Sequence, residues 1–182
     1  VKINSKKDLL VYSYRVAGTV GLMMSKILKV DNKESLKGAI DLGIAMQLTN
    51  IARDVIEDKD RNREYISNNF SSIREVIRNA EIFYEKSFCA ISSIPIKSRF
   101  SVIVARRVYK KIGYYILKQE NIENYIKAGK IYIPISAKIL ETILSIVDFL
   151  KLLFIKNVSY YNNENHYILS QEINLNERIW LR

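Results

Sequence analysis

The apolar positions of this chain recur three and four residues apart through most of its length. Leu9, Tyr12, Val16, Val20 and Met23 form one such series; Ile73, Val76, Ile77, Ala80 and Phe83 form another. That spacing stacks side chains on one face of an α-helix. The pattern predicts an all-α fold with helices near residues 7–28, 34–60, 71–93, 98–119 and 135–157. The breaks have local causes: Asp31 and Asn32 separate the first two helices, Ser71 is a candidate N-cap for the third, Pro95 follows it, and Pro134 opens the last. Residues 129–133 are expected to be briefly extended. The chain thus divides into a helical domain over 1–158 and a polar tail over 159–182, rich in Asn and Tyr, loosely packed and with at most one short helix.

Composition fits one compact domain, because 48% of 182 residues are hydrophobic and only 6 glycines and 2 prolines interrupt them. A single cysteine, Cys89, excludes an internal disulfide, and the sole histidine, His166, has no zinc-ligand spacing around it. The net charge of +10 suits an anionic partner, but the basic residues are spread along the whole chain. No stacking module accompanies them, so nucleic acid is not expected as a partner. The apolar run 139–155 is interrupted by Glu141, Asp148 and Lys151 and is shorter than a membrane span. It is expected to be a core helix with a charged outer face, which leaves peripheral attachment to a membrane open.

The segment from Ala39 to Ile66, AIDLGIAMQLTNIARDVIEDKDRNREYI, concentrates the candidate chemistry. At 100° per residue Gln47, Asn50, Asp54, Asp58 and Arg61 share a narrow stripe with Gly43, while Leu42, Ile44, Leu48, Ile51 and Val55 point elsewhere. Ionised aspartates in a helix otherwise apolar need compensating positive charge. Oxygens of Asn50, Asp54 and Asp58, spaced four apart, suit a hard cation such as Mg2+, with Arg53 and Arg61 near a phosphorylated ligand. A solvated helix end with an ordinary Glu57–Arg61 pair is the other reading of residues 57–64. In the first helix, Gly18 and Gly21 cost about 1 kcal/mol each relative to alanine, which implies a close approach there.

Together, YSYRVAGTVGLMMSKIL and DLGIAMQLTNIARDVIEDKDRNREYI resemble the squalene/phytoene synthase family, in its bacterial phytoene synthase branch. The later segments ARRVYKKIG and GKIYIPISAKI are similar to the family's C-terminal helices. The resemblance implies an all-α bundle of the trans-prenyl (isoprenoid) synthase type around a cavity, here without its N-terminal helices. It implies that Asn50, Asp54 and Asp58 hold Mg2+, that Gln47, Arg53, Arg63 and Tyr109 lie at the substrate diphosphate, and that Tyr12 takes part in the reaction. Arg63 and Tyr65 fit the motif's Arg-x-Tyr ending, but Ser67 stands where a proline is usual.

The activity so implied joins two geranylgeranyl diphosphates head-to-head, through a cyclopropyl diphosphate, to phytoene in carotenoid biosynthesis. The alternatives are a squalene or dehydrosqualene synthase using farnesyl diphosphate, and a non-catalytic assembly factor. The family's first aspartate-rich segment would precede Val1, so this chain is expected to be a fragment inactive alone, its missing N-terminal half being required for a complete site. The expected location is the cytoplasm, with room for attachment to the inner face of the membrane.

Overall fold

The computed structural model describes residues 2–155, 158, 162 and 164–172. Its elements are α1 (Lys6–Ser13), a π-helical turn (Tyr14–Gly18), α2 (Thr19–Ile27), α3 (Lys33–Arg53), α4 (Val55–Asp60), α5 (Phe70–Ser87), a 3-10 turn (Cys89–Ser93), α6 (Ile96–Leu117), α7 (Ile122–Ala128), α8 (Ile135–Leu153) and α9 (Glu164–Leu169). Among the described residues the only β-type pairing is an isolated bridge between Lys2 and Glu64. The all-α expectation holds among the described residues.

The helices start where short polar side chains satisfy free amides. Asn32, Asn69 and Asn121 each accept a 2.8 Å bond from the amide three residues on, at Ser35, Ser72 and Asn124. The third predicted helix is therefore capped by Asn69 and not by Ser71, whose hydroxyl instead donates to the Asn69 side chain at 2.6 Å. The predicted helices 7–28 and 34–60 are each interrupted, the first by the π-helical turn and the second at Asp54 (φ −105°, ψ 17°). Helix α7 was not expected from the pattern. Residues 129–133 contain no strand; Gly129 takes φ +61° and Ile131 and Ile133 are buried.

α3 is the central element, with Leu36, Ile40, Ile44, Ala45, Leu48, Ile51 and Ala52 buried against α5, α2, α6 and the turns beside them. The glycines permit that closeness. A Cβ on Gly21 would strike the Ala39 carbonyl, and one on Gly43 would strike the Ala17 carbonyl.

One expectation reverses. Helix α8 buries its charged side and exposes its apolar one: Glu141 and Asp148 are 6% and 8% exposed, whereas Ile135 and Phe154 are 75% and 83% exposed. The cause is Arg107 of α6, which donates to Glu141 at 2.9 Å and to Asp148 at 2.7 Å and pins that face inward. The expected extension of this helix to 157 stops at Leu153, and residues 156 and 157 lie outside the described ones. In the tail, α9 is packed: Leu169 is fully buried, and His166 lies 2.9 Å from the buried Asp41 carboxylate and edge-on to Phe83. Residues 159–161, 163 and 173–182 of the expected tail lie outside the described ones.

Gly21→Ala should lower the melting temperature by the equivalent of about 1–3 kcal/mol, the usual cost of overpacking. A thermal melt unchanged within 1 °C or so would show that the α2–α3 approach is not a constraint.

Candidate functional site

α3 carries its polar seam on the side its neighbours leave partly open. Gly43, Gln47, Asn50 and Asp54 are half-buried along that line, while Leu48, Thr49, Ile51 and Ala52 beside them are buried. The Oδ1 of Asn50 is shielded from solvent and accepts no hydrogen bond from the described residues. An unsatisfied buried acceptor costs about 1–3 kcal/mol, so this oxygen has room for a donor or cation that the described residues do not provide.

Asp54 is engaged by the protein's own cations. Arg53 Nε and Nη2 both donate to its carboxylate at 2.8 Å, and Lys130 Nζ lies 3.6 Å away. The Asp54 hydrogen bonds raise the Arg53 pKa above its ordinary value, against a smaller burial effect, with Tyr109 and Tyr132 close enough to add to the rise. Lys130 also donates to Glu57 at 2.7 Å, and Glu57 accepts from Arg61 at 2.9 Å, the ordinary pair expected at that helix end.

Asp58 lacks such a partner: among the described residues no cation lies within ion-pair distance of its carboxylate. Burial, and then the charge of Asp54, push its pKa above the usual carboxylate value, with Arg63 and Arg61 pulling the other way. Beyond it, Tyr12 of α1 donates to the Tyr65 hydroxyl at 3.0 Å, with the two rings stacked at 4.8 Å. Burial, then the Tyr65 bond, push the Tyr12 phenol up to about 12, and the fields of Arg63 and Asp58 reach it.

Two hollows flank the seam. One of about 420 Å³ is lined by Ile51, Val55, Asp58, Arg63 and Tyr65. The other, about 350 Å³ and almost wholly apolar, runs between α2, α3 and α6 past Val20, Met24, Leu42, Met46 and Ala105, and meets the seam at Gly43.

The structure thus gathers Tyr12, Asn50, Arg53, Asp54, Asp58 and Arg63 into one region. Gln47 stands one turn before Asn50, and Tyr109 reaches in from α6. Pattern reading missed Lys130, Tyr125 and Tyr132. Lys130 and Tyr132 sit in GKIYIP, whose relevance is visible only once the loop before α8 is folded back over α4. Tyr125 had no signal at all, since α7 itself was missed.

Residues 2–70 match the family Squalene/phytoene synthase. The chain is 34% identical over 132 residues to 15-cis-phytoene synthase of Enterobacter agglomerans, covering 61% of this chain and 45% of that protein. Against phytoene synthase of Thermus thermophilus identity is 52% over 66 residues, 36% of this chain and 22% of the relative. A bifunctional lycopene cyclase/phytoene synthase of Pyrenophora tritici-repentis is 30% identical over 168 residues, 76% of this chain and 28% of the relative. The chain therefore spans less than half the length of these curated relatives.

The raised pKa of Asp58 has a definite sign. A carboxyl whose folded pKa exceeds its unfolded value stabilises the fold fully below the unfolded pKa, and that contribution is lost as pH rises through the folded pKa. Asp58→Asn should therefore raise the metal-free melting temperature at pH 7, and the gain should vanish as pH falls below about 4, the ordinary aspartate value. A metal-free D58N protein that melts lower than wild type at pH 7 would contradict the unpaired carboxylate described above.

Proposed function

The chain belongs to the squalene/phytoene synthase family, and on that premise we propose that it is part of a phytoene synthase-type prenyltransferase acting on geranylgeranyl diphosphate. The observation that carries the reading is the meeting of an apolar hollow with a ridge that runs from α3 into α4 and bears, among the described residues, an unsatisfied Asn50 oxygen and an Asp58 without an ion-pair partner. An isoprenoid diphosphate has the same two halves: a hydrocarbon chain for the hollow and an anionic head for the ridge.

The donor set fits a hard divalent ion. Asn50, Asp54 and Asp58 would hold Mg2+, which when bound neutralises the charge of the diphosphate as it departs. The chain's own residues do the rest. Val20, Met24, Leu42 and Met46 keep water from the allylic cation that forms at C1 when the first diphosphate leaves. Arg53, Arg63 and Lys130 add positive charge for the released anion, Arg53 by exchanging its bonds to Asp54 for bonds to phosphate. Gln47 and Tyr109 contribute neutral hydrogen-bonding groups along the same face. Capture of the cation by the second substrate, with loss of one proton as the ring closes, gives a cyclopropyl diphosphate, whose ionisation, rearrangement and loss of a second proton yield phytoene. One acidic wall is present here; a facing wall from the rest of the longer protein completes the site.

The exposed apolar face of α8 supports a peripheral position at the inner, cytoplasmic face of a membrane. Among the described residues no helix is long and apolar enough to cross a membrane. Its outer face presents Ile139, Ile143, Ile146, Val147 and Leu150 to solvent, with exposed Lys138 and Lys151 at its borders. Such a face, on a chain of net charge +10, suits the surface of an anionic bilayer.

In the complete protein, Asp54→Asn should cut diphosphate release from geranylgeranyl diphosphate by about 100-fold or more, since a metal-assisted departure is worth several kcal/mol. Phytoene yield unchanged by D54N across Mg2+ concentrations would remove Asp54 from the reaction. Robust phytoene formation by residues 1–182 alone would refute the need for a second wall, and turnover of farnesyl diphosphate in preference would reassign the substrate. For α8, the complete protein should sediment with phosphatidylglycerol vesicles and lose that binding in the Ile143→Asp, Val147→Asp double variant. Failure to sediment, or a dimer abolished by the same substitutions, would give the face to another occupant.

A further inference from the structure

The acidic ridge is not one continuous helix. α3 ends at Arg53 and α4 begins at Val55, so Asn50 and Asp54 ride on the first helix or at its end, and Asp58 rides on the second. A break in a helix leaves carbonyl and amide groups that would otherwise bond each other four residues apart, and those groups need partners when buried. Sharp breaks of this kind have identifiable causes, among them a side chain inserted into the hydrogen-bond ladder.

Here the inserted group is the hydroxyl of Tyr125. It donates to the carbonyls of Ala52 at 3.0 Å and Arg53 at 2.7 Å, and its oxygen is also hydrogen-bonded by the Val55 backbone. One phenol thus occupies both sides of the gap, with the ring 2% exposed and fixed on α7, itself capped by Asn121. Neither Ala52 nor Val55 is a residue that breaks helices, and no proline or glycine lies between Asn50 and Asp60. The local sequence prefers to continue; the contact that stops it comes from 71 residues beyond Asp54.

We propose that Tyr125 is a positioning residue for the metal–diphosphate site: by filling the break at Asp54 it sets the angle between the Asn50–Asp54 half of the ridge and the Asp58 half. The inference rests on the reading of the ridge as the metal site. A single cation shared by oxygens on both helices requires that angle, because coordination by Mg2+ tolerates little distortion. Tyr125 touches neither the ion nor the substrate. Its effect passes through the backbone, as outer-shell partners of metal ligands commonly act, at a cost of about 10–100-fold in affinity when removed.

The test is a titration of the complete protein with Mn2+ in the presence of inorganic pyrophosphate, followed by the electron paramagnetic resonance of free Mn2+. Tyr125→Phe keeps the ring and removes only the hydroxyl, and should weaken Mn2+ binding about tenfold. Replacing Tyr125 by 4-aminophenylalanine, which restores a donor at similar reach, should recover most of that loss and keeps the test open should Y125F fold poorly. Tyr84→Phe removes an equally buried hydroxyl, bonded to Thr49 at 3.0 Å on the far side of α3, and should leave Mn2+ affinity within twofold of wild type. Wild-type affinity in Y125F, or equal weakening in Y84F, overturns the positioning role while leaving the ridge intact. Wild-type protein that binds no Mn2+ with pyrophosphate overturns the proposed function together with this inference.

Discussion

A helix buried on nearly every side can carry ionised carboxylates only where positive charge meets them, and the arrangement around α3 follows from that constraint. Arg53 folds back on Asp54, and Lys130 approaches from the loop before α8 to touch both Asp54 and Glu57. These cations cover the first aspartate. Among the described residues they leave Asp58 without an ion-pair partner and Asn50 Oδ1 without a donor. The Asn50 and Asp58 positions lie along one face next to an apolar hollow, while Leu36, Ile40, Ile44, Leu48 and Ile51 pack the rest of α3. A protein selected for stability alone would fill or neutralise such a stretch, and this asymmetry is what makes a ligand the economical explanation of it.

Much of this was legible in the sequence, because it depends on local periodicity. The all-α fold, the polar stripe from Gly43 to Asp58, and the close approach at Gly21 all follow from residues within a few turns of one another. What failed was non-local. The break at Asp54 is imposed by a tyrosine on a helix that the pattern did not reveal. The third helix starts at Asn69 because that amide oxygen binds both the Ser72 amide and the Ser71 hydroxyl, a competition between two good capping residues that spacing alone does not rank. His166 reads as an isolated tail residue until the fold brings it to Asp41 on α3.

Helix α8 shows how pattern reading can recover an element and invert its orientation. Its apolar arc is wider than its charged one, and burial of the larger hydrophobic face is the usual outcome. Arg107 and Lys111 on α6 change the balance by offering Glu141 and Asp148 paired positions in the interface. Arg106 beside them is held by the Tyr84 carbonyl and the Phe88 ring, so α6 carries a row of cations committed to neighbours. The apolar side is left outward, as are Met23 and Ile27 of α2. Two such exposed apolar faces are candidate interaction surfaces.

The tyrosine pair beyond Asp58 limits what the site can do with protons. With its phenol pushed up to about 12, Tyr12 is ionised at pH 7 in only about one molecule in 100,000, so it is a poor candidate for a general base. Its proton is instead committed to the Tyr65 oxygen, and the rings stack to keep it there. A neutral, oriented phenol beside a carbocation offers a dipole and a π-face without a nucleophilic anion that would trap the cation. In the proposed reaction, which loses one proton as the cyclopropane closes and another at the end, the base is then better sought in the released diphosphate, whose oxygens would lie within the positive field of Arg53, Arg63 and Lys130.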